Sequence, residues 1–313
     1  MQIRGLIPAT MTPFASDGSV DHVALQKHLK QVGSATGLFG LAVNGHAGEV
    51  LALDSKERQE ILATAKKAIP SSIKFIAGIE SHSINGLIRE GQIAKETGAQ
   101  MLLVIPPFDV RLYRHLSTTV PVVMDVFKRL DKEVGLPMIV FQYPDVTGCS
   151  YSLDVLEQLA SIDHVVGIKA SAGSPAKYAE LHDRLGHVLS VLPASDSPSL
   201  LGMLLHNAPG ALIGISCVGT QQWSDLVYEA TEGSAQKAKE IHNLYAVPLM
   251  RSIFEYHLHW THTCPFSATK EALVQLGQFP SNFVRQPAVM VDEQKKLAIN
   301  QSLIQVGLLP GVN

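Results

Sequence analysis

His164-Val-Val-Gly-Ile-Lys-Ala-Ser-Ala-Gly173 decides how this chain is read. Four of the five residues from Val165 to Lys169 carry neither charge nor hydroxyl, the pattern of a strand buried on both faces of a parallel sheet. The run ends on a lysine. An ammonium at the mouth of a buried strand is dehydrated, which disfavours its charged form and lowers its pKa. A neutral amine at pH 7 is a nucleophile able to form a Schiff base with a ketone. Taken by itself, an apolar run ending in Lys is more simply an exposed residue just past a strand, since lysine is seldom buried. The flanking sequence has to reverse that reading.

Outward from this strand, apolar runs at 3–9, 37–43, 73–79, 100–105, 137–142, 164–169, 188–193 and 211–215 alternate with helical patterns. The helices fall at 21–35, 55–68, 84–97, 118–134, 153–161, 175–185 and 198–206. Eight β-then-α units, repeating at roughly 25 to 35 residues, predict an α/β fold, a (β/α)8 TIM barrel. A doubly wound open sheet would carry a Gly-rich nucleotide turn after its first strand. Thr10-Met11-Thr12-Pro13-Phe14 has none. The barrel is assigned to residues 1–221. Residues 222–313 read as a helical appendage packed on it, with helices at 234–251, 268–276 and 292–306. A barrel puts its chemistry at the C-terminal strand ends. Those ends are 10–12, 44–49, 80–82, 106–109, 141–144, 169, 194–196 and 216, so Lys169 belongs to the ring.

Composition removes other classes. The 313 residues are 46% hydrophobic with net charge −3, enough to bury a large core. Lys and Arg are scattered without a basic run, so no nucleic-acid partner is expected. Three distant cysteines, Cys149, Cys217 and Cys264, suggest reduced thiols in a cytoplasm. Neither a signal-peptide pattern nor an apolar stretch of membrane-spanning length is present, so no membrane is expected.

The chain resembles the dihydrodipicolinate synthase / N-acetylneuraminate lyase family of Schiff-base barrel enzymes. The resemblance rests on Gly5–Pro8 with Thr12-Pro13-Phe14, on Gly45-His46-Ala47-Gly48-Glu49, and on Pro144-x-x-Thr147-Gly148. Gly167-Ile168-Lys169, Ser195-Asp196 and Ala268-Thr269-Lys270-x-Ala272-Leu273 complete it, in the family's order along nearly the whole chain. It implies a pyruvate-type 2-oxo acid held as a covalent imine on Lys169, with no other cofactor, commonly in a homotetramer.

Departures from the family pattern matter as much. The family's Gly-Thr-Thr-Gly-Glu loop holds the 2-oxo acid carboxylate; here His46 and Ala47 replace its hydroxyls. Backbone N–H groups remain, and His46 either adds a donor or only fills space. The family's catalytic tyrosine before x-x-Pro is Phe141, which cannot carry a proton. Tyr143 stands two residues on, and residues i and i+2 share a strand face. It enters the same cavity if extended geometry persists, and is a rim residue if Pro144 breaks the alternation. The synthase's second tyrosine corresponds to Phe108, and the basic residue before Thr-Gly is Val146. Lysine-biosynthetic synthase activity is therefore not expected.

Asp196 either binds substrate hydroxyls or caps the following helix. Ile213, by the resemblance, is a pocket-lining candidate through its carbonyl, with Ser216 beside it, and Thr147 is a substrate-binding candidate. Glu49 is read as tying its loop to the next helix, not as a base. His257, His259, His262 and Cys264 carry metal-ligand side chains, but helical residues two apart do not converge, so no metal site is expected. The leading function is a class I lyase making or breaking a carbon–carbon bond of a 2-oxo acid, with Lys169 and Tyr143 catalytic. A 2-oxo-3-deoxy sugar-acid dehydratase and a non-catalytic 2-oxo acid binding protein are the alternatives.

Overall fold

A computed structural model describes residues 1–254 and 264–311. Eight short parallel strands run β1 (Gly5–Pro8), β2 (Gly40–Val43), β3 (Lys74–Ile79), β4 (Met101–Val104), β5 (Met138–Gln142), β6 (Val165–Ala170), β7 (Ser190–Pro193) and β8 (Gly210–Ile213). They alternate with α1 (His22–Gly33), α2 (Ser55–Ala68), α3 (Ile84–Thr97), α4 (Val120–Glu133), α5 (Leu153–Leu159), α6 (Pro175–Leu185), α7 (Leu200–Leu204) and α8 (Thr220–Thr231). This is the (β/α)8 barrel that the alternation predicts. Its strands are buried almost throughout, as a sheet covered by helices outside and by its own side chains inside requires.

β2 to β7 are hydrogen-bonded in sequence order, and β1 pairs with β8. Bridges Leu6–Leu38 and Ala9–Ala42 join β1 to the chain at β2. Gly5 allows that approach: its φ is +96°, and a Cβ there would meet Gly37 O at 2.7 Å. The β7–β8 seam shows no ladder among the described residues. Side chains serve instead. Just past β7, Asp196 Oδ1 accepts the Ile215 N–H at 2.9 Å across the seam, and at the other end of β7 Ser190 Oγ accepts the Ile3 N–H at 2.9 Å, tying β7 to the segment before β1.

Most strands are shorter than the apolar runs that announce them, because run ends go into bridges and turns instead of ladders; β6 keeps the length of its run, shifted by one residue. The division expected at 221/222 falls inside α8, which packs on β1 and β8 as the eighth barrel helix. Beyond it α9 (Ala235–Ile241) passes through a π-helical turn, His242–Ala246, into α10 (Val247–Phe254). Then come α11 (Pro265–Gln275), which packs on α12 (Glu293–Gln305) as α10 does. The histidines at 257, 259 and 262 lie outside the described residues, and Cys264 is the N-cap residue of α11. Among the described residues no helix is long and apolar enough to cross a membrane.

Candidate active site

Lys169 stands in register between Phe141 of β5 and Leu192 of β7, so the three side chains leave the sheet on one side. The residue is 8% exposed, and Nζ lies 3.7 Å from the centroid of the Phe141 ring. Among the described residues the amine has no hydrogen-bond or ion-pair partner; the Asp196 charge acts on it only from a distance. Burial pulls its pKa from 10.5 to about 8, with Asp196 opposing. The strand-end lysine is thus an interior amine, not a solvated one.

Tyr143 packs on the Phe141 ring over which Lys169 Nζ lies. Pro144 keeps extended geometry (φ −62°, ψ 145°), and the 3-10 turn Asp145–Thr147 begins only after it, so the i, i+2 alternation survives. Phe141 and Tyr143 meet edge to face with centroids 4.8 Å apart. His46 completes a cluster of three rings, 4.9 Å from Phe141 and 5.1 Å from Tyr143. Its Nε2 and Tyr143 Oη are hydrogen-bonded at 2.5 Å. Burial, helped by the positive charge of Lys169, takes His46 down to about 3, so its ring is neutral at pH 7. Burial and then the Asp109 charge push the Tyr143 phenol upward. A neutral imidazole and a neutral phenol therefore share one hydrogen bond beside the amine, an arrangement that can give a proton at one end and take one at the other.

His46 and Ala47 open the 3-10 turn His46–Gly48, which no side chain caps, so their N–H groups have no partner within the turn. Ala47 Cβ stands 3.3 Å from where a side chain at Gly214 would begin, which puts Gly214 on the inner face of its segment. Alternation then turns Ile213 to the outer face. Its carbonyl already accepts from Ala9 N at 3.0 Å and Ser216 Oγ at 2.8 Å, so the expectation that it lines the pocket is corrected. Asp196 is corrected as well. Its carboxylate faces backbone N–H groups at Gly214 and Ile215, closing the β7–β8 seam instead of waiting for hydroxyls. Thr147 Oγ1 donates to Pro144 O at 2.8 Å and accepts from Cys149 N at 3.3 Å, which builds the turn and leaves it no described contact with the three rings. Phe108 is buried edge-on against Tyr151, with centroids 6.3 Å apart, and Val146 is 94% exposed, so neither supplies a polar group.

One interaction was not read from the sequence. Glu49, in left-handed conformation (φ 57°), is ion-paired with Lys270 of α11. Lys270 Nζ also donates to Phe283 O at 2.9 Å, and Glu49 Oε2 accepts from Arg285 N at 3.2 Å. The Arg285 guanidinium in turn holds Glu57, Gly18 O and Ala52 O. Glu49 thus ties its loop to Lys270 of α11 and to the backbone of Arg285, not to the next helix as expected; α2 is joined only through the Arg285–Glu57 pair, and Asp54 caps it. A lysine inside Ala268-Thr269-Lys270, on a helix buried all round, was the signal for it.

The profile of the dihydrodipicolinate synthetase family matches residues 2–306. A 4-hydroxy-tetrahydrodipicolinate synthase of Kosmotoga olearia is 29% identical over 315 residues, covering 98% of this chain and 99% of that one. The dihydrodipicolinate synthase of Aquifex aeolicus superposes with a TM-score of 0.84 at 26% identity, over 97% of this chain and 98% of that one. One from Acinetobacter baumannii, solved complexed with pyruvate, gives 0.84 at 24% identity over 98% and 100% of the two chains. The chain belongs to the dihydrodipicolinate synthetase family and is a lyase of that family.

Proposed function

We propose that the chain is an imine-forming lyase acting on a pyruvate-type 2-oxo acid, with Lys169 as the nucleophile. The observation that carries this is the buried amine without a partner, 3.7 Å from the Phe141 ring. A pKa of about 8 leaves about a tenth of it neutral at pH 7, against about 0.03% at 10.5. The neutral amine adds to the keto carbon and water is lost; the protonated imine then draws electrons from the adjoining bonds. The His46–Tyr143 pair does the proton work, taking the proton from the substrate's 4-hydroxyl in aldol cleavage. The free amides of His46 and Ala47 suit the carboxylate. No cofactor beyond the covalent imine is needed, and pyruvate, present in the Acinetobacter complex, is the simplest ligand. A homo-oligomer, tetramer or dimer, in the cytoplasm is the assembly we propose.

Two features argue against the lysine-biosynthetic synthase reaction. Phenyl rings stand where the family has its tyrosines, at Phe141 and Phe108, and Val146 offers no cation for a second substrate. The Phe141 substitution gives weight to a second reading, dehydration of a 2-oxo-3-deoxy sugar acid, in which the pair removes the C3 proton instead. Borohydride reduction in the presence of pyruvate and of candidate 2-oxo acids, followed by intact mass and peptide mapping, tests the nucleophile. The expected result is one adduct per chain on Lys169. No adduct with any of them, or an adduct elsewhere, would sink the imine. Release of pyruvate from the substrate then marks an aldolase, and an intact carbon chain marks a dehydratase.

A further inference from the structure

We propose that His182, Asp183 and His206 bind a divalent transition-metal ion of the zinc class, on the barrel face opposite Lys169. His182 and Asp183 lie in the last turn of α6, and His206 follows α7. His206 Nε2 is 2.8 Å from Asp183 Oδ1, and His182 Nδ1 is 4.0 Å from the same oxygen. One ligand atom from each residue lies within 4.8 Å of the others. Metal bonds of about 2.0–2.1 Å at tetrahedral angles hold ligand atoms roughly 3.3 Å apart. The existing spacings straddle that value, so side-chain torsions alone close the site.

The surroundings fit a ligand set. The backbone carbonyl of Asn207 engages the His182 ring, the kind of outer contact that orients a ligating imidazole. Tyr178 packs 5.9 Å from His182 and 6.4 Å from His206, with its hydroxyl anchored on Val191 O at 2.9 Å, and forms a dry wall behind both rings. The C-terminal end of α6, eleven residues long, adds a favourable field for a cation. The one fixed cation of this turn, Arg184, is engaged by Glu157. Asp183 is 68% exposed, so an ion enters from solvent and keeps a water as its fourth ligand. Two imidazoles and one carboxylate favour zinc, nickel or cobalt over magnesium or calcium. The site departs from the expectation of no metal, and it joins α6 to α7 across 23 residues of sequence.

The test is calorimetric titration and thermal unfolding of chelator-stripped protein with zinc, nickel or magnesium chloride. The expected result is one zinc or nickel ion per chain and a Tm rise of roughly 2–5 °C at a hundredfold excess over Kd, with no effect of magnesium. In His182→Ala and His206→Ala the metal-dependent rise disappears, and in Asp183→Asn it shrinks, while borohydride trapping at Lys169 is unchanged. Absence of zinc and nickel binding overturns the proposal. So does full binding in His206→Ala, which would place the ion elsewhere, for instance on the side chains of 257–264.

Discussion

Lys169 and Lys270 are both buried, both lie against an aromatic ring, and both are drawn down to about 8 by burial. Their partners set them apart. Lys270 sits on the Glu49 carboxylate and the Phe283 carbonyl, with two hydrogen bonds committed to the fold. Lys169 has only the Phe141 ring beside it and, among the described residues, no hydrogen-bond or ion-pair partner. A depressed pKa alone therefore does not mark a nucleophile. The marker is a depressed pKa on an amine with no competing partner.

Lys169→Ala should cut turnover by at least about 10³-fold and abolish the borohydride adduct, while the protein stays folded. An adduct persisting in that variant would break the contrast outright. Tyr143→Phe should lower kcat by about 10²–10⁴-fold yet still form the adduct, as expected for a proton carrier distinct from the nucleophile. Lys270→Met should leave the chemistry alone and cost about 3–5 kcal/mol of stability, measured by denaturant unfolding, because Glu49 is left buried and unpaired. Adding Glu49→Gln to that variant should recover part of the loss. A Lys270→Met chain of unchanged stability that no longer forms the adduct would reverse the assigned roles. The pH profile sharpens the comparison further. The nucleophile is the deprotonated amine, so kcat/KM should fall as pH drops below about 8 and level off above it. No second limb belongs near 6.5, since His46 titrates at about 3; a limb there would show that its ring is solvated.

The sequence made the barrel legible because each strand is an apolar run buried on both faces and each helix keeps its own period. Lys169 was legible because it ends one of those runs. Tyr143 was half legible: strand alternation put it on the correct face, but only the extended Pro144 decides whether alternation holds. Contacts made by folding alone left no local trace. His46 and Tyr143 meet across 97 residues, and Glu49 and Lys270 across 221. Asp196 misled because a carboxylate at a strand end looks the same whether it faces a ligand or a neighbouring backbone amide. The His182, Asp183 and His206 group was hidden for a related reason, since α7 brings its third member back onto α6.

The Glu49–Lys270 pair also bears on how such chains exchange parts. A barrel half taken from one relative and C-terminal helices from another would fold well only if positions 49 and 270 travelled together, since a mismatched half strands a charge in the interior. The loop that carries His46 would drift with it. Any chimera, shortened version or transplanted pocket built on this scaffold has to inherit both ends of that link.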